Sequence, residues 1–419
     1  MTHTHNTHNA ALAPGRGRRV AVVTAATALA VIGLPIAPAA ADTTQCEPTQ
    51  TYKGVPWSLQ RVMLDELWKQ STGEGVRVAV IDTGVDITHP QLKGAVDAKS
   101  GTNLLPKKNK KGEELNIGKA NGTDDAIGHG TKVAGIIAAR KMEGSGFVGL
   151  APDAKIIPIK QNDADGNGSA STLADAVDHA VAKDAHVINI SQDTANAAKP
   201  DAKLQEAVNR ALAADVVVVA SAGNDGGGGN VKKTYPASFE GVLAVGASDR
   251  NNERAPFSQS GGFVGVAAPG VDMVSTVPGG GHCADNGTSF SAPYVAGVAA
   301  LIKAKHPKWT APQIVAQMQQ TAERSTPGQD RLVGWGVVDP LRALTEDDEP
   351  IDKPTEGGGL TQAEGPTPAK YDFGETAAER NARLATYVVI GGGVLVAAVA
   401  GGAVAVRDAR RRASRVAGG

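Results

Sequence analysis

The sequence predicts an α/β domain built on a mostly parallel sheet with helices on both faces, followed by one C-terminal transmembrane helix. Three observations predict it. Short, β-branched apolar runs alternate with helix-length amphipathic stretches through the middle of the chain, the pattern of repeated strand–helix–strand units. Those runs are apolar at nearly every position, as strands covered on both faces must be. Near the end, Tyr387 to Val406 carries no charge over about 20 residues, enough to cross a hydrocarbon core of ~30 Å as a helix.

Taken in order, residues 1–41 read as a secretory signal, with Arg16, Arg18 and Arg19 before an apolar run from Val20 to Ile36 and the small residues Ala39, Ala40 and Ala41 before Asp42. Arg18-Arg19 suggests a twin-arginine route, but the residues that follow do not resemble the rest of that signal. His3, His5 and His8 look like a metal tract, yet they fall in the part that cleavage removes. Residues 42–54 form a short N-terminal extension, and a single domain spans 55–344. Within it Arg77–Ile81, Lys155–Ile159, His186–Ile190, Asp215–Ala220 and Val242–Val245 are the expected strands, with Ser171–Lys183 and Asp201–Ala214 as helices between them. Residues 345–383 are rich in Pro, Gly, Thr and acid and read as a flexible linker. The transmembrane helix is expected over 384–406, and the basic tail 407–419, with Arg407, Arg410, Arg411, Arg412 and Arg415, is held in the cytoplasm by the positive-inside rule. That leaves the domain outside the cell membrane.

The chain has 419 residues, 41% of them hydrophobic, which is globular composition. With 42 basic and 43 acidic residues there is no excess positive charge to recruit nucleic acid. Lys107, Lys108, Lys110 and Lys111 form the one dense internal basic run and read as a solvated loop. Two cysteines, Cys46 and Cys283, suit an oxidising compartment and are able to form one disulfide, which the sequence by itself does not establish.

Four short segments carry chemistry. Val78-Ala-Val-Ile-Asp82-Thr83-Gly84 ends a strand on an acid and a turn, placing the carboxylate at the sheet edge where open α/β proteins build sites. Asp-Thr-Gly also occurs in aspartic proteases, but that chemistry needs two such motifs and there is one. Gly128-His129-Gly130-Thr131 opens a helical stretch, Lys132 to Arg140, with an imidazole suited to proton exchange near neutrality. Asn286-Gly287-Thr288-Ser289-Phe290-Ser291-Ala292-Pro293 leads into the apolar helix Tyr294 to Ile302, so Ser289 lies where free N–H groups favour developing negative charge. Thr288 or Ser291 can serve as the helix cap, leaving Ser289 for another role. The motif is not Gly-x-Ser-x-Gly, which argues against an α/β-hydrolase. Val218-Val-Ala-Ser-Ala-Gly223-Asn224 ends a strand on a side-chain amide, either a turn former or a donor to an oxyanion. The order Asp, His, Asn, Ser distinguishes one solution to the triad problem from the others.

On these segments the sequence resembles the subtilisin-like serine proteases over about residues 55–344. The resemblance implies Ser289 as nucleophile, His129 as base, Asp82 as its orienting acid, and an oxyanion site from the Asn224 side chain and the Ser289 N–H. It also implies an extended substrate along Gly166, Gly168 and Ser191, with no cofactor. Within the family the chain looks most like the mycosins of type VII secretion, through its signal, Cys-bearing extension, Trp57-Ser-Leu-Gln-Arg61, Gly334-Trp-Gly-Val-Val-Asp-Pro340 and final apolar helix. That likeness implies protein substrates, a lipid bilayer around the helix and a membrane secretion complex as partner, with a structural role in that complex as the alternative to proteolysis. Three departures stand out. Few residues are left for a folding prodomain, Gln192-Asp193-Thr194 replaces the expected turn after Ser191, and no calcium loop is recognisable at Lys141-Met142-Glu143-Gly144, so no metal is expected.

Overall fold

The computed structural model describes residues 50–108, 111–163, 168–192, 200–229, 232–357 and 377–416. Seven parallel strands form the sheet: β1 (Arg77–Asp82), β2 (Thr102–Asn103), β3 (Lys155–Lys160), β4 (Val187–Ile190), β5 (Val217–Ser221), β6 (Leu243–Ser248) and β7 (Val264–Pro269), in the order β2-β3-β1-β4-β5-β6-β7. An antiparallel hairpin, β8 (Met273–Thr276) and β9 (His282–Asp285), stands apart from it. The helices are α1 (Trp57–Gln60), α2 (Leu64–Gln70), α3 (His129–Ala138), α4 (Ala170–Ala182), α5 (Ala202–Ala213), α6 (Thr288–Lys305), α7 (Ala311–Gln320), α8 (Pro340–Thr345) and α9 (Ala377–Val416).

Two apolar layers explain why the strand sequences are apolar throughout. Val78, Val80, Val217 and Val219 pack into one layer with α3 and α6, while Ala79, Ile81, Val218 and Ala220 pack into the other with α4 and α5. Alternating side chains on each strand thus meet opposite layers, so both faces are mostly apolar. Local chemistry fixes the helix starts. Ser169 caps α4 by accepting from Thr172 N, and Asp201 caps α5 by accepting from Leu204 N at 2.9 Å. Helix α6 is buried from Thr288 to Ile302 and runs through the first layer, which its nearly uniform apolar sequence requires.

The five expected strands are all present, with ends displaced by up to three residues. The short strand β2 and the Gly- and Ala-rich β7 were not expected, because neither has a β-branched run to announce it. Chain order and sheet order differ around β1: β3 lies on one side of it and β4 on the other. That reversal opens a crevice at the carboxyl end of β1, where Asp82 stands.

At both ends the domain reaches further than its sequence boundaries. Before residue 55, Gln50 O accepts from His282 N (2.9 Å), Tyr52 N donates to His282 Nδ1 (3.1 Å), and Tyr52 O accepts from Gly146 N (3.0 Å). After Leu344, Asp347 pairs with Lys305 (2.7 Å) and His306 (2.6 Å), and Gly357 N donates to Pro327 O (2.8 Å). Asp347, three residues past Leu344, is thus a buried acid bonded to Lys305 and His306. Helix α9 is one C-terminal apolar helix compatible with a single-pass membrane anchor; its Val388, Val389, Leu395 and Val396 are all exposed. The signal, Cys46 and residues 358–376 of the expected linker lie outside the described residues.

The contact between the N-terminal segment and β9 contains two buried histidines. His282 Nε2 donates to Gln91 Oε1 (2.6 Å), and its Nδ1 is occupied by the Tyr52 N–H. His89 Nε2 donates to Gly281 O (2.9 Å) while its Nδ1 accepts from Gln91 N (3.2 Å), and the two rings meet edge to face at 5.7 Å. Each acceptor nitrogen faces a backbone N–H, so a second proton has nowhere to go. Burial, with the neighbouring His89 adding to it, pushes His282 down to about 4. A folded-state pKa below the unfolded value of 6.5 means that the unfolded chain binds the proton more readily. Stability is then complete above pH 6.5 and falls by ~3 kcal/mol as pH drops toward 4. Denaturant titrations of the full-length protein across that window are expected to show this slope, and His282→Gln is expected to flatten it by about one proton. An unchanged slope in the variant refutes the assignment.

Candidate active site

Asp82 closes β1 at 1% exposure, and its Oδ1 accepts from His129 Nδ1 (2.7 Å) and Thr83 N (2.8 Å). These bonds fix the carboxylate and direct the other imidazole nitrogen away from it. His129 is the first residue of α3, with its side chain 28% exposed. Gly128 ahead of it has φ 89°, a conformation that glycine adopts without strain. Gly130 behind it lies against Asp82 and Gly84 so closely that a Cβ would strike the Gly84 carbonyl. The two glycines flanking the histidine therefore let α3 begin in contact with β1.

A carboxylate that the sequence reading passed over holds this arrangement. Asp125 is 6% exposed; its Oδ1 accepts from Thr83 Oγ1 (2.8 Å), Ile127 N (3.1 Å) and Gly128 N (2.8 Å), and its Oδ2 from Thr131 N (2.8 Å) and Thr131 Oγ1 (2.7 Å). Thr83 Oγ1 in turn accepts from Gly130 N (3.0 Å). The start of α3 has no conventional cap, and Asp125 supplies one from three residues before Gly128. An acid shortly before Gly-His at a helix start is the sequence signal that points to it.

Burial lowers the affinity of His129 for a proton, but the Asp82 charge and hydrogen bond, with Asp125 behind them, more than offset this and leave its pKa raised above the ordinary 6.5. The Phe290 ring packs on the imidazole at 5.3 Å between centroids, which brings His129 to the first turn of α6.

Ser289 is the second residue of α6 and 8% exposed. No side chain caps that helix: Ser291 Oγ is buried without a partner, and Thr288 is engaged elsewhere, so the expected capping role falls to neither. Thr288 Oγ1 accepts from Gly223 N (3.2 Å) and donates to Asn224 Oδ1 (3.0 Å), and Thr288 N also donates to Asn224 Oδ1 (2.9 Å). Two donors on Oδ1 settle the orientation of the Asn224 amide and leave Nδ2 to face the cleft. A Cβ placed on Gly287 would lie 2.9 Å from Ser289 Oγ and 3.6 Å from Asn224 Nδ2, so hydroxyl and amide converge on one small volume.

Ser191 follows β4, buried at 4%, with its hydroxyl accepting from Asn189 Nδ2 (2.8 Å). Gly168 is exposed between β3 and α4, and Gly166 lies outside the described residues. Gln192 Nε2 donates to Gln161 Oε1 (2.5 Å), joining the strand ends on either side of β1; Asp193 and Thr194 are outside the described residues. Cys283 is buried on β9, and no cysteine among the described residues is a free thiol. No group of three or more His, Cys, Asp or Glu side chains able to hold a metal occurs among the described residues.

A profile described as the subtilase family matches residues 73–336. The chain belongs to the subtilase family. Its curated relatives include proteases and subtilisins: it is 38% identical to M-protease of Shouchella clausii over 320 residues, covering 74% of this chain and 77% of the relative. It is 40% identical to subtilisin Savinase of Lederbergia lenta over 287 residues, covering 68% of this chain and 97% of the relative. Among solved structures this subtilase is similar to the MycP3 protease of a type VII (ESX-3) secretion system, with TM-score 0.61 and 34% identity over 71% of this chain and 92% of that one. It is also similar to MycP1 from Mycobacterium smegmatis, with TM-score 0.62 and 31% identity over 78% of this chain and 92% of that one.

Proposed function

We propose that this subtilase is a membrane-anchored endopeptidase that hydrolyses peptide bonds of exported proteins through Asp82, His129 and Ser289. The observation that carries the reading is the convergence of Ser289 Oγ and Asn224 Nδ2 at Gly287, on the helix turn that meets the Asp82-bound imidazole. In this reading neutral His129 takes the Ser289 proton as Oγ attacks the scissile carbonyl. Negative charge developing on the carbonyl oxygen is met by the Asn224 amide and the Ser289 N–H at the start of α6. His129 then returns the proton to the leaving amine, and water repeats the cycle on the acyl-enzyme to release the second product. Asp82 keeps Nδ1 protonated and stabilises the imidazolium in between. Backbone at Gly166, Gly168 and Ser191 pairs with the substrate strand, which tolerates many side chains.

Helix α9 anchors the enzyme, with the arginine-rich tail in the cytoplasm and the catalytic domain on the outer side of the cell membrane. Association with a type VII secretion complex is supported by the likeness to the MycP proteases. A Cys46–Cys283 disulfide, in this reading, ties the mature N-terminus to β9 beside the Gln50–Tyr52 contacts.

Reaction with a serine-directed phosphonate tests the core of the proposal. Ser289 is expected to be the labelled residue, and the labelling rate to rise with pH through a midpoint above 6.5, because His129 acts only when deprotonated and its partners raise its pKa. Labelling at another residue, or a rate flat between pH 5 and 8, a window chosen to bracket an ordinary imidazole at ~6.5, overturns it.

A further inference from the structure

The helix that carries His129 and the strand that leads to Ser289 are joined by a charged pair that no step above uses. Lys132 lies one turn after His129 on α3, and its Nζ donates to Asp285 Oδ2 at 2.8 Å. Asp285 is the last residue of β9, shortly before α6 begins at Thr288. Its other oxygen, Oδ1, accepts from Asn286 N (2.9 Å), so one carboxylate holds both the α3 lysine and the backbone that turns into α6. The rest of that turn is fastened residue by residue: Asn286 Oδ1 accepts from Asp272 N (2.7 Å), and Gly287 N donates to Gly270 O (2.9 Å). On the α3 side, Ser275 Oγ donates to Lys132 O (2.6 Å) and Thr276 Oγ1 to Thr131 O (2.8 Å). Strand β8 lies so close to the helix that a Cβ on Gly135 would be 2.2 Å from Thr276 Oγ1 and 2.5 Å from Ser275 Oγ. The β8–β9 hairpin is thus pinned to α3 through backbone carbonyls, and Lys132–Asp285 extends that contact to the residues just ahead of the nucleophile.

We propose that Lys132 and Asp285 are positioning residues: their bond clasps the helix that bears the base to the turn that bears the nucleophile, and so fixes how His129 meets Ser289. The inference rests on the peptidase reading and adds two residues to it. Exposure separates this role from a contribution to stability. The Lys132 side chain is 16% exposed and that of Asp285 43%, and a pair half open to water adds little to folding free energy. Geometry is what it restricts, and a misplacement of about 1 Å between reacting groups costs on the order of 100-fold in rate. The pair also places charge next to the base. His129 is faced by Asp82 from β1, Asp125 from the loop before α3, Lys132 from its own helix and the Phe290 ring from α6. Burial lowers its proton affinity, Asp82 and Asp125 raise it, and Lys132 lowers it again, with Asp285 on β9 offsetting the lysine. Removing Lys132 therefore makes the imidazole hold its proton to higher pH, and removing Asp285 makes it release the proton at lower pH. A contact that only supports the fold has no such opposed signature.

The test uses the full chain in detergent and compares the wild type with Lys132→Met, Asp285→Asn and the two combined. Two quantities are read on each: the titration midpoint of the His129 imidazole by NMR, in a Ser289→Ala background, and the rate of Ser289 labelling by a serine-directed phosphonate at its high-pH plateau. Lys132→Met is expected to raise the midpoint by at least about 0.2 pH unit and Asp285→Asn to lower it by at least as much. Each single variant is expected to slow labelling about 3- to 10-fold, and the combined variant no more than the slower of the two, because both break one clasp. Thermal unfolding checks that the variants are folded, and Lys132→Gln replaces Lys132→Met if the latter is not. Midpoints that move less than this or in the same direction, single-variant rates within about 3-fold of wild type, or losses that multiply in the combined variant overturn the clasp. Absence of Ser289 labelling in the wild type, with the opposed midpoint shifts present, instead overturns the peptidase reading and leaves the hold of the pair on His129 standing.

Discussion

Ser289→Ala is expected to abolish cleavage of exported substrates while the protein still folds and reaches the membrane. The substitution removes one oxygen from the first turn of a helix that is buried along fifteen residues, so packing is nearly untouched. On the proposed mechanism, what disappears is the atom that forms the acyl-enzyme. Removal of the nucleophile in subtilisin costs about 10⁶-fold in kcat, and a loss of that order is the expectation here. Measuring cleavage and secretion-complex assembly in the same cells separates two roles. Cleavage within tenfold of wild type would falsify the assignment of Ser289. Cleavage lost with assembly and secretion preserved makes proteolysis dispensable for export, and loss of both ties export to proteolysis. The structural role is isolated by the contrast with deletion of the whole chain: it holds if deletion abolishes assembly where Ser289→Ala does not.

Asn224→Leu is the second large effect, expected at ~10²–10³ in kcat with KM little changed, the range measured for a side-chain oxyanion donor in subtilisin. The size follows from the asymmetry of the site. Asn224 Oδ1 is held by Thr288 N and Thr288 Oγ1, so the Nδ2 donor is aimed before substrate arrives and needs no reorientation during the reaction. Thr288→Val, which removes one of the two holding bonds, is expected to reduce kcat several-fold, in keeping with ~1 kcal/mol for a neutral hydrogen bond. Single-turnover measurements on both variants check the ranking. If Asn224→Leu raises KM and spares kcat, the amide binds ground-state substrate and is not an oxyanion donor.

The parts of this molecule that were legible in its sequence are those set by short-range rules. Apolar runs revealed β1, β3, β4, β5 and β6 because each is covered on both faces, and Asp201 marked the start of α5 because a cap must be adjacent to its helix. Strand β7 stayed hidden, since Val-Gly-Val-Ala-Ala-Pro takes its strand character from its neighbours more than from its own residues. The four motifs announced Asp82, His129, Asn224 and Ser289 individually, but the bond from Thr288 to Asn224 joins residues 64 positions apart and has no local signature. Asp125 was missed for a related reason: its role depends on Thr83, brought in from β1. The histidine pair at His89 and His282 is likewise a product of packing, with 191 positions separating His282 from Gln91.

The contacts of Asp347 and Gly357 with the body of the domain bear on where such an enzyme can work. A leash counted from residue 345 would leave the catalytic unit free to roam, but the chain remains fastened through Gly357, and helix begins again at Ala377. Roughly twenty residues are left between the two, an upper limit of ~70 Å even if drawn straight. On the proposed reading of α9 as a membrane anchor, that reach confines the cleft to a thin layer next to the bilayer, where proteins are met as they emerge. On that reading, the Asp347 contacts that shorten the tether select substrates by place and time.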